Sequence, residues 1–100
     1  MTVHWTEAAE RHLDAIYAYI AQDSLEYAHR MVDRITGRSQ QIVEFPFSGR
    51  KVPEYDTEQV REVIEGSWRI IYFIKDEQID VLAVIHGAMD IQGASALNVE

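Results

Sequence analysis

Three side chains in the second half of the chain, Arg61, Arg69 and His86, have the chemistry to hold an anion and move a proton. A guanidinium presents a fixed fork of donors that grips an oxyanion through two bonds, and an imidazole titrates nearest neutrality. Arg61 and Arg69 stand on either side of Gly66-Ser67, and His86 closes the next apolar run. On adjacent strands the three converge at one side of a sheet, provided register and facing agree. Glu54, in the segment before them, offers a carboxylate. Each residue also has a plainer reading. Either arginine can pair across strands with Glu62, Glu65 or Asp80, and a histidine at a strand end is commonly a hydrogen-bonded structural residue. His86 and Asp90 supply two possible metal ligands without a third, so no metal is expected. Arg30, Arg34 and Arg38 recur at i, i+4 and i+8, with Glu26 one turn before Arg30. That stripe is a solvated helix face or a docking site for an acidic partner segment.

The elements that must position these residues follow from periodicity. Val60 to Glu65, Trp68 to Ile74 and Gln78 to His86 are runs rich in Val, Ile, Tyr, Phe and Trp, separated by Gly66-Ser67 and Asp76-Glu77. They predict an antiparallel meander of three strands. The second and third runs are apolar on nearly every residue, so both faces need cover. Before them, Val3-His4-Trp5 predicts one short strand and Thr6 an N-cap. Ala9, Leu13, Ile16 and Ile20 then give a helix ending near Gln22. Asp23 with Glu26 reads as a capping box for a second helix with apolar Ala28, Val32, Ile35 and Ile42, stopped at or before Phe45 by Pro46. So short a connection makes an antiparallel helical hairpin, the natural cover for one side of the meander. Phe47 to Gln59 lacks periodicity and reads as a surface loop carrying Arg50 and Lys51. The fold class is α+β, with one domain over residues 1–90 and a flexible tail over 91–100.

Composition bounds the function. The chain has 100 residues, no cysteine and a formal net charge of -8. The length suits one small core, and the missing thiols exclude disulfides and thiolate metal sites. The N-terminal stretch lacks the apolar run of a signal peptide, and no segment approaches membrane-spanning length, so a cytoplasmic protein with no membrane partner is expected. An acidic chain repels nucleic acid at long range, which weighs against a dedicated nucleic-acid binder. The aromatics do not interleave with basic residues as in a single-strand binder.

The order strand, helix, helix, loop, meander resembles the RelE/ParE toxin family of bacterial toxin–antitoxin modules, also grouped as plasmid stabilisation proteins. Trp5-Thr6 leading into Ile16-Tyr17-Ala18-Tyr19-Ile20-Ala21, then Phe45-Pro46-Phe47-Ser48-Gly49-Arg50 with Val52-Pro53-Glu54, carry the resemblance. So do Val60-Arg61-Glu62, Trp68-Arg69-Ile70-Ile71-Tyr72 and Val84-Ile85-His86-Gly87-Ala88. The likeness runs from about Val3 to Asp90, and its most specific part is the Pro-Gly-Arg loop spaced before the Arg-Glu strand.

The family includes ribosome-dependent messenger RNA endonucleases and inhibitors of DNA gyrase, so fold alone does not choose between them. RNA cleavage through a 2′-hydroxyl needs a base, an acid and cations on the phosphate. The resemblance puts Arg69 and His86 at positions used by some nuclease members, with Arg61 beside them as the third candidate catalytic residue. It also shows a departure, since many relatives carry arginine where this chain has Met89. The reading is therefore a ParE-like, non-catalytic gyrase inhibitor without a cofactor, held silent by a cognate antitoxin through which alone it meets operator DNA. The alternatives are an endoribonuclease acting on mRNA at the ribosome with Arg61, Arg69 and His86, or a degenerate member that keeps only antitoxin binding and operon autoregulation.

Overall fold

A computed structural model describes residues 1–87. Met89, Asp90 and the tail 91–100, to which the departure from the family pattern, the metal pair and the flexible segment were assigned, lie outside the described residues. The order is β1 (Thr2–Trp5), α1 (Glu7–Ala21), α2 (Leu25–Ile42), a 3-10 turn (Pro46–Ser48), β2 (Arg50–Lys51), β3 (Val60–Glu65), β4 (Trp68–Ile74) and β5 (Gln78–His86). The strands form one sheet in the order β1-β5-β4-β3-β2. The meander β3-β4-β5 is its antiparallel centre, and β1 lies parallel to β5 at one edge. The α+β class, the short N-terminal strand and the helical hairpin are as expected, but among the described residues β1 and β2 join the three-stranded meander in one five-stranded sheet. The segment read as a loop holds β2, antiparallel to β3 through Arg50↔Glu62 and Lys51↔Arg61.

Local chemistry accounts for the boundaries. Thr6 caps α1 by accepting from Ala9 N–H (3.2 Å), and its hydroxyl donates to Val81 O (2.9 Å), which ties the helix start to β5. Ser24, not Asp23, caps α2: it is extended (φ -156°, ψ 109°) and accepts from Tyr27 N–H at 3.1 Å. Asp23 still belongs to the turn closing α1, since its N–H and that of Ser24 both donate to Ile20 O. Glu26 therefore falls one position early for a capping box and pairs with Arg30 instead (2.9 Å). Gly66, with φ 60°, makes the two-residue turn between β3 and β4, a conformation that L side chains rarely adopt.

The helices cover one face of the sheet, where Ile16, Met31, Ile35 and Ile42 cluster with Val63, Ile70, Tyr72, Ile79, Val81 and Val84. Each such aliphatic side chain contributes roughly 1.5–3 kcal/mol relative to exposure. The second face carries Val60, Ile71, Leu82, Ala83 and Ile85, with Val52 and Tyr55 from the segment after α2 packed against it. Pairing shifts between Ile71↔Ala83 and Tyr72↔Val81, which leaves Leu82 as an extra residue in β5. β1 pairs with β5 only as far as Val81. Beyond it His12 Nδ1, from α1, accepts from Val84 N–H (3.3 Å) and so occupies the next donor on an edge that no strand covers among the described residues. Among the described residues no helix is long and apolar enough to cross a membrane.

Candidate functional site

Arg69 projects from β4 onto the second face, between Ile64 of β3 and Ile85 of β5, and is 4% exposed. A cation there must find acceptors, because burial of an unpaired charge costs several kcal/mol. Two carboxylates supply them. Nε donates to Glu62 Oε1 (2.6 Å), while Nη1 and Nη2 donate to Glu54 Oε2 (2.9 Å) and Oε1 (2.8 Å). The second contact is the two-bond fork that guanidinium makes with carboxylate. Glu62 is buried on β3, and its other oxygen accepts from Arg50 Nε of β2. The result is an alternating chain of charge, Arg50, Glu62, Arg69, Glu54, that crosses the second face and pins the segment after β2 to the sheet. The fork with Glu54, opposed by burial and reinforced by Glu62, holds the Arg69 guanidinium well above the usual arginine range.

Arg61 points the other way. It pairs with Tyr72 across β3 and β4, on the helix-covered face, and its side chain is 13% exposed. Nη1 donates to Phe47 O (3.2 Å) and Gly49 O (3.1 Å), Nε to Glu58 O (2.8 Å), and Nη2 to Glu58 Oε2 (2.8 Å). Its guanidinium carbon lies 5.2 Å from the centre of the Phe47 ring. Arg61 thus fastens both ends of the connection around the 3-10 turn. Tyr72 completes that fastening: its buried hydroxyl donates to Pro46 O (2.6 Å), and burial pushes its pKa up. Gly49 passes so close that a Cβ would stand 2.3 Å from Tyr72 Oη and 2.8 Å from Glu62 O.

His86 ends β5 opposite Trp68, edge-on to the indole with ring centroids 5.7 Å apart and planes at 82°. It shares the Arg61 face, but the Trp68 row lies four residues from the Tyr72 row, roughly 13 Å along the strands. The three candidates therefore do not converge. What the structure brings together is Arg69 with Glu54, the loop carboxylate, and with Glu62, one of the cross-strand partners considered. Sequence reasoning missed how deeply Glu62 is buried. The signal was its neighbours, since Val60 and Ile64, two residues either side on the strand, share its face. It also assigned Arg50 to a surface loop, whereas Arg50 is the second partner of Glu62. Among the described residues no three His, Cys, Asp or Glu side chains are grouped so as to hold a metal ion.

Chemically, Arg69 is an anion-gripping group whose Nε, Nη1 and Nη2 already donate to carboxylates. A phosphate reaching it must displace Glu54. A proton-transfer role for His86 would act on a different side of the sheet from that grip.

Comparison with known proteins places this geometry in a family. Residues 3–91 match the family described as the ParE toxin of type II toxin–antitoxin systems, parDE. Y4kP of Sinorhizobium fredii, a protein inferred to be a toxin, is 33% identical over 84 residues, which cover 84% of this chain and 85% of that protein. A solved structure of the chromosomal ParDE toxin–antitoxin system from P. aeruginosa is similar, with a TM-score of 0.71 and 25% identity over 86% of this chain and 95% of that one. The YoeB/ParE toxin from Agrobacterium tumefaciens shares the fold, with a TM-score of 0.59 at 18% identity over 86% of this chain and 98% of its own. A match over almost the full length, joined to a relative a third identical, means that the chain belongs to the ParE toxin family of type II toxin–antitoxin systems.

Proposed function

We propose that this toxin acts without catalysis, by binding DNA gyrase, and that a cognate antitoxin keeps it silent. The observation that carries the reading is the separation of the candidate catalytic groups. Arg69 lies buried on one face with its guanidinium committed to Glu62 and Glu54, while Arg61 and His86 lie on the other face at opposite ends. A nuclease needs acid, base and cation around one phosphate, within hydrogen-bond reach of the proton transferred. The antitoxin is supported by the similar P. aeruginosa structure, which is of a toxin–antitoxin system, and by the exposure of Tyr19, Leu25, Phe45, Phe47 and Ile64. Gyrase and ribosome alike place the action in the cytoplasm.

One observation favours a second reading. The Glu54–Arg69 fork sets a carboxylate beside an anion-gripping cation, which a ribosome-dependent endoribonuclease would use once substrate displaced one from the other. Purified protein should block supercoiling by gyrase and leave messages intact on translating ribosomes. Cut messages with supercoiling untouched would reverse the two readings. Neither effect, with antitoxin binding retained, would identify a member that serves only to bind antitoxin and regulate its operon.

A further inference from the structure

Residues 52–58, between β2 and β3, carry Glu54, Asp56 and Glu58 and no cationic side chain. Their backbone hydrogen bonds among the described residues are local. Tyr55 N–H donates to Val52 O (3.0 Å) and Val60 N–H to Thr57 O (3.3 Å), each spanning three residues of the chain. Gln59 already belongs to the sheet, since its carbonyl accepts from Ile74 N–H of β4 (2.8 Å). Side chains therefore hold 52–58 down. Buried Val52 and half-buried Tyr55 pack on Val60, Ile71, Leu82, Ala83 and Ile85, a small apolar contact for a segment of this length.

The remaining ties are ionic, and they differ in depth. Glu58 pairs with Lys51 of β2 (2.7 Å) and Arg61 of β3 (2.8 Å), but it is exposed, and such pairs contribute little. Glu54 grips Arg69 of β4 through the two-bond fork, with its own side chain only 16% exposed. The two carboxylates on Arg69 are not equivalent. Glu62 is fixed and fully buried in β3, whereas Glu54 belongs to a segment that no ladder holds. Parting at Glu54 leaves Glu62 between Arg50 and Arg69, and the departing segment lets water reach the guanidinium it uncovers. No carboxylate is then buried without a cation, so this opening costs far less than unfolding the sheet.

We propose that residues 52–58 form a strap that opens from the second face as one unit, latched by the Glu54–Arg69 fork, while the strands and helices stay folded. Closed, the strap covers the Arg69 guanidinium. Open, it bares that guanidinium between Ile64 and Ile85, still held by Glu62. The strap thus gates access to Arg69, and the population of the open form, set by the strength of one ion pair, limits how readily any external group reaches it.

The chain has no cysteine, so Val52→Cys and, under the helices, Ala28→Cys each supply one buried thiol whose alkylation by neutral iodoacetamide reports opening. The Val52→Cys thiol should react at least about tenfold faster than the Ala28→Cys thiol, with little dependence on urea, because local opening exposes little surface. Adding Glu54→Gln should speed the strap thiol by at least about tenfold and leave the helix thiol unchanged. Adding Glu58→Gln should change the strap thiol by less than about threefold. Raising sodium chloride to about 1 M should speed the strap thiol, by favouring the separated charges, and slow the helix thiol, because salt relieves the self-repulsion of a chain of formal net charge -8. Circular dichroism establishes that each variant is folded, and Ala83→Cys, in the same apolar cluster, serves as the reporter if Val52→Cys is not. Equal rates and equal urea slopes for the two thiols would overturn the strap, since the segment would then open only with the whole fold. A strap thiol as fast as a free thiol would overturn it too, because nothing would be closed. Equal acceleration by Glu54→Gln and Glu58→Gln, or none by either, would remove the latch from Glu54.

Discussion

On the side covered by α1 and α2 the sheet meets Ile16, Met31, Ile35 and Ile42, whereas on the other side it buries Glu62, Arg69 and Asp80 among Val60, Ile71 and Ile85. All three buried charged residues among those described project from that second face. The helix face is closed by shape, through aliphatic side chains at helical spacing that tolerate many apolar replacements of similar volume. Against the second face the described cover is the short segment after β2, with Val52 and Tyr55, too little apolar surface to be held by burial alone. Electrostatics supplies the rest, because Glu54 from the segment and Arg50 from β2 reach partners on the sheet. The cost is directional. A charge network in a dry setting fixes one arrangement, and losing one member leaves the others uncompensated.

That contrast is most directly broken at Arg69. Arg69→Met should destabilise the chain by about 3–5 kcal/mol, read from urea midpoints, because Glu62 is then buried with Arg50 as its one remaining cation. Adding Glu62→Met should recover most of the loss, since Arg50 is exposed and the paired apolar residues suit the surrounding Val60 and Ile71. A double variant no better than the single would show that the network does more than satisfy itself. Next in size is Gly49→Ala. The new methyl collides with Tyr72 Oη and Glu62 O, where both faces meet the same turn, and about 1–3 kcal/mol should be lost. Gly37→Ala sharpens the contrast from the helix side, because a Cβ at that helical position meets nothing within 4 Å. It should stabilise by about 1 kcal/mol and raise the melting temperature by roughly 4–8 °C.

The smallest effect is expected from pH. His12 accepts a hydrogen bond from Val84 N–H and so is neutral in the folded chain. Burial, then the charge of Arg11, keeps its pKa below the ordinary 6.5. Below that value the unfolded chain binds a proton that the folded chain refuses. The contribution is therefore complete above 6.5 and is lost as pH falls through the depressed value. Midpoints measured from about pH 8 to about pH 5 should show this slope in the wild type and not in His12→Gln. Asp80 lies outside that window. Burial raises its pKa, but hydrogen bonds from Lys75 and Gln78 outweigh it, so its loss begins below the ordinary 3.8.

The sequence made the long elements legible because each repeats its own period over several turns or pleats. β2 has no such repeat, being two exposed residues, Arg50 and Lys51, whose strand character comes only from β3. The parallel pairing of β1 with β5 joins residues at opposite ends of the chain and leaves no local trace beyond Val3 and Trp5. The candidate site was misplaced by facing rather than by residue type. A two-residue turn at Gly66-Ser67 pairs odd with even positions, Arg61 with Tyr72 and Ile64 with Arg69. Two odd-numbered arginines on either side of it must therefore lie on opposite faces, a rule that the sequence alone carried.

The extra residue at Leu82 has a consequence for how such a protein can change. Before it, Ile79 stands opposite Ile74, and continued without interruption that register would bring His86 onto the face of Arg69. Taking up Leu82 as an extra residue reverses the strict alternation for everything downstream, giving Val84 to the helix core and His86 to Trp68. Whether β5 keeps or loses this irregularity at constant length is thus a switch between two surface chemistries, one with imidazole and guanidinium on a common side and one with them back to back. Deleting Leu82 does not throw that switch, because the shortened strand carries Ala83 straight opposite Ile71 and keeps every later pair, whereas the full-length strand drawn out regular turns every later side chain over.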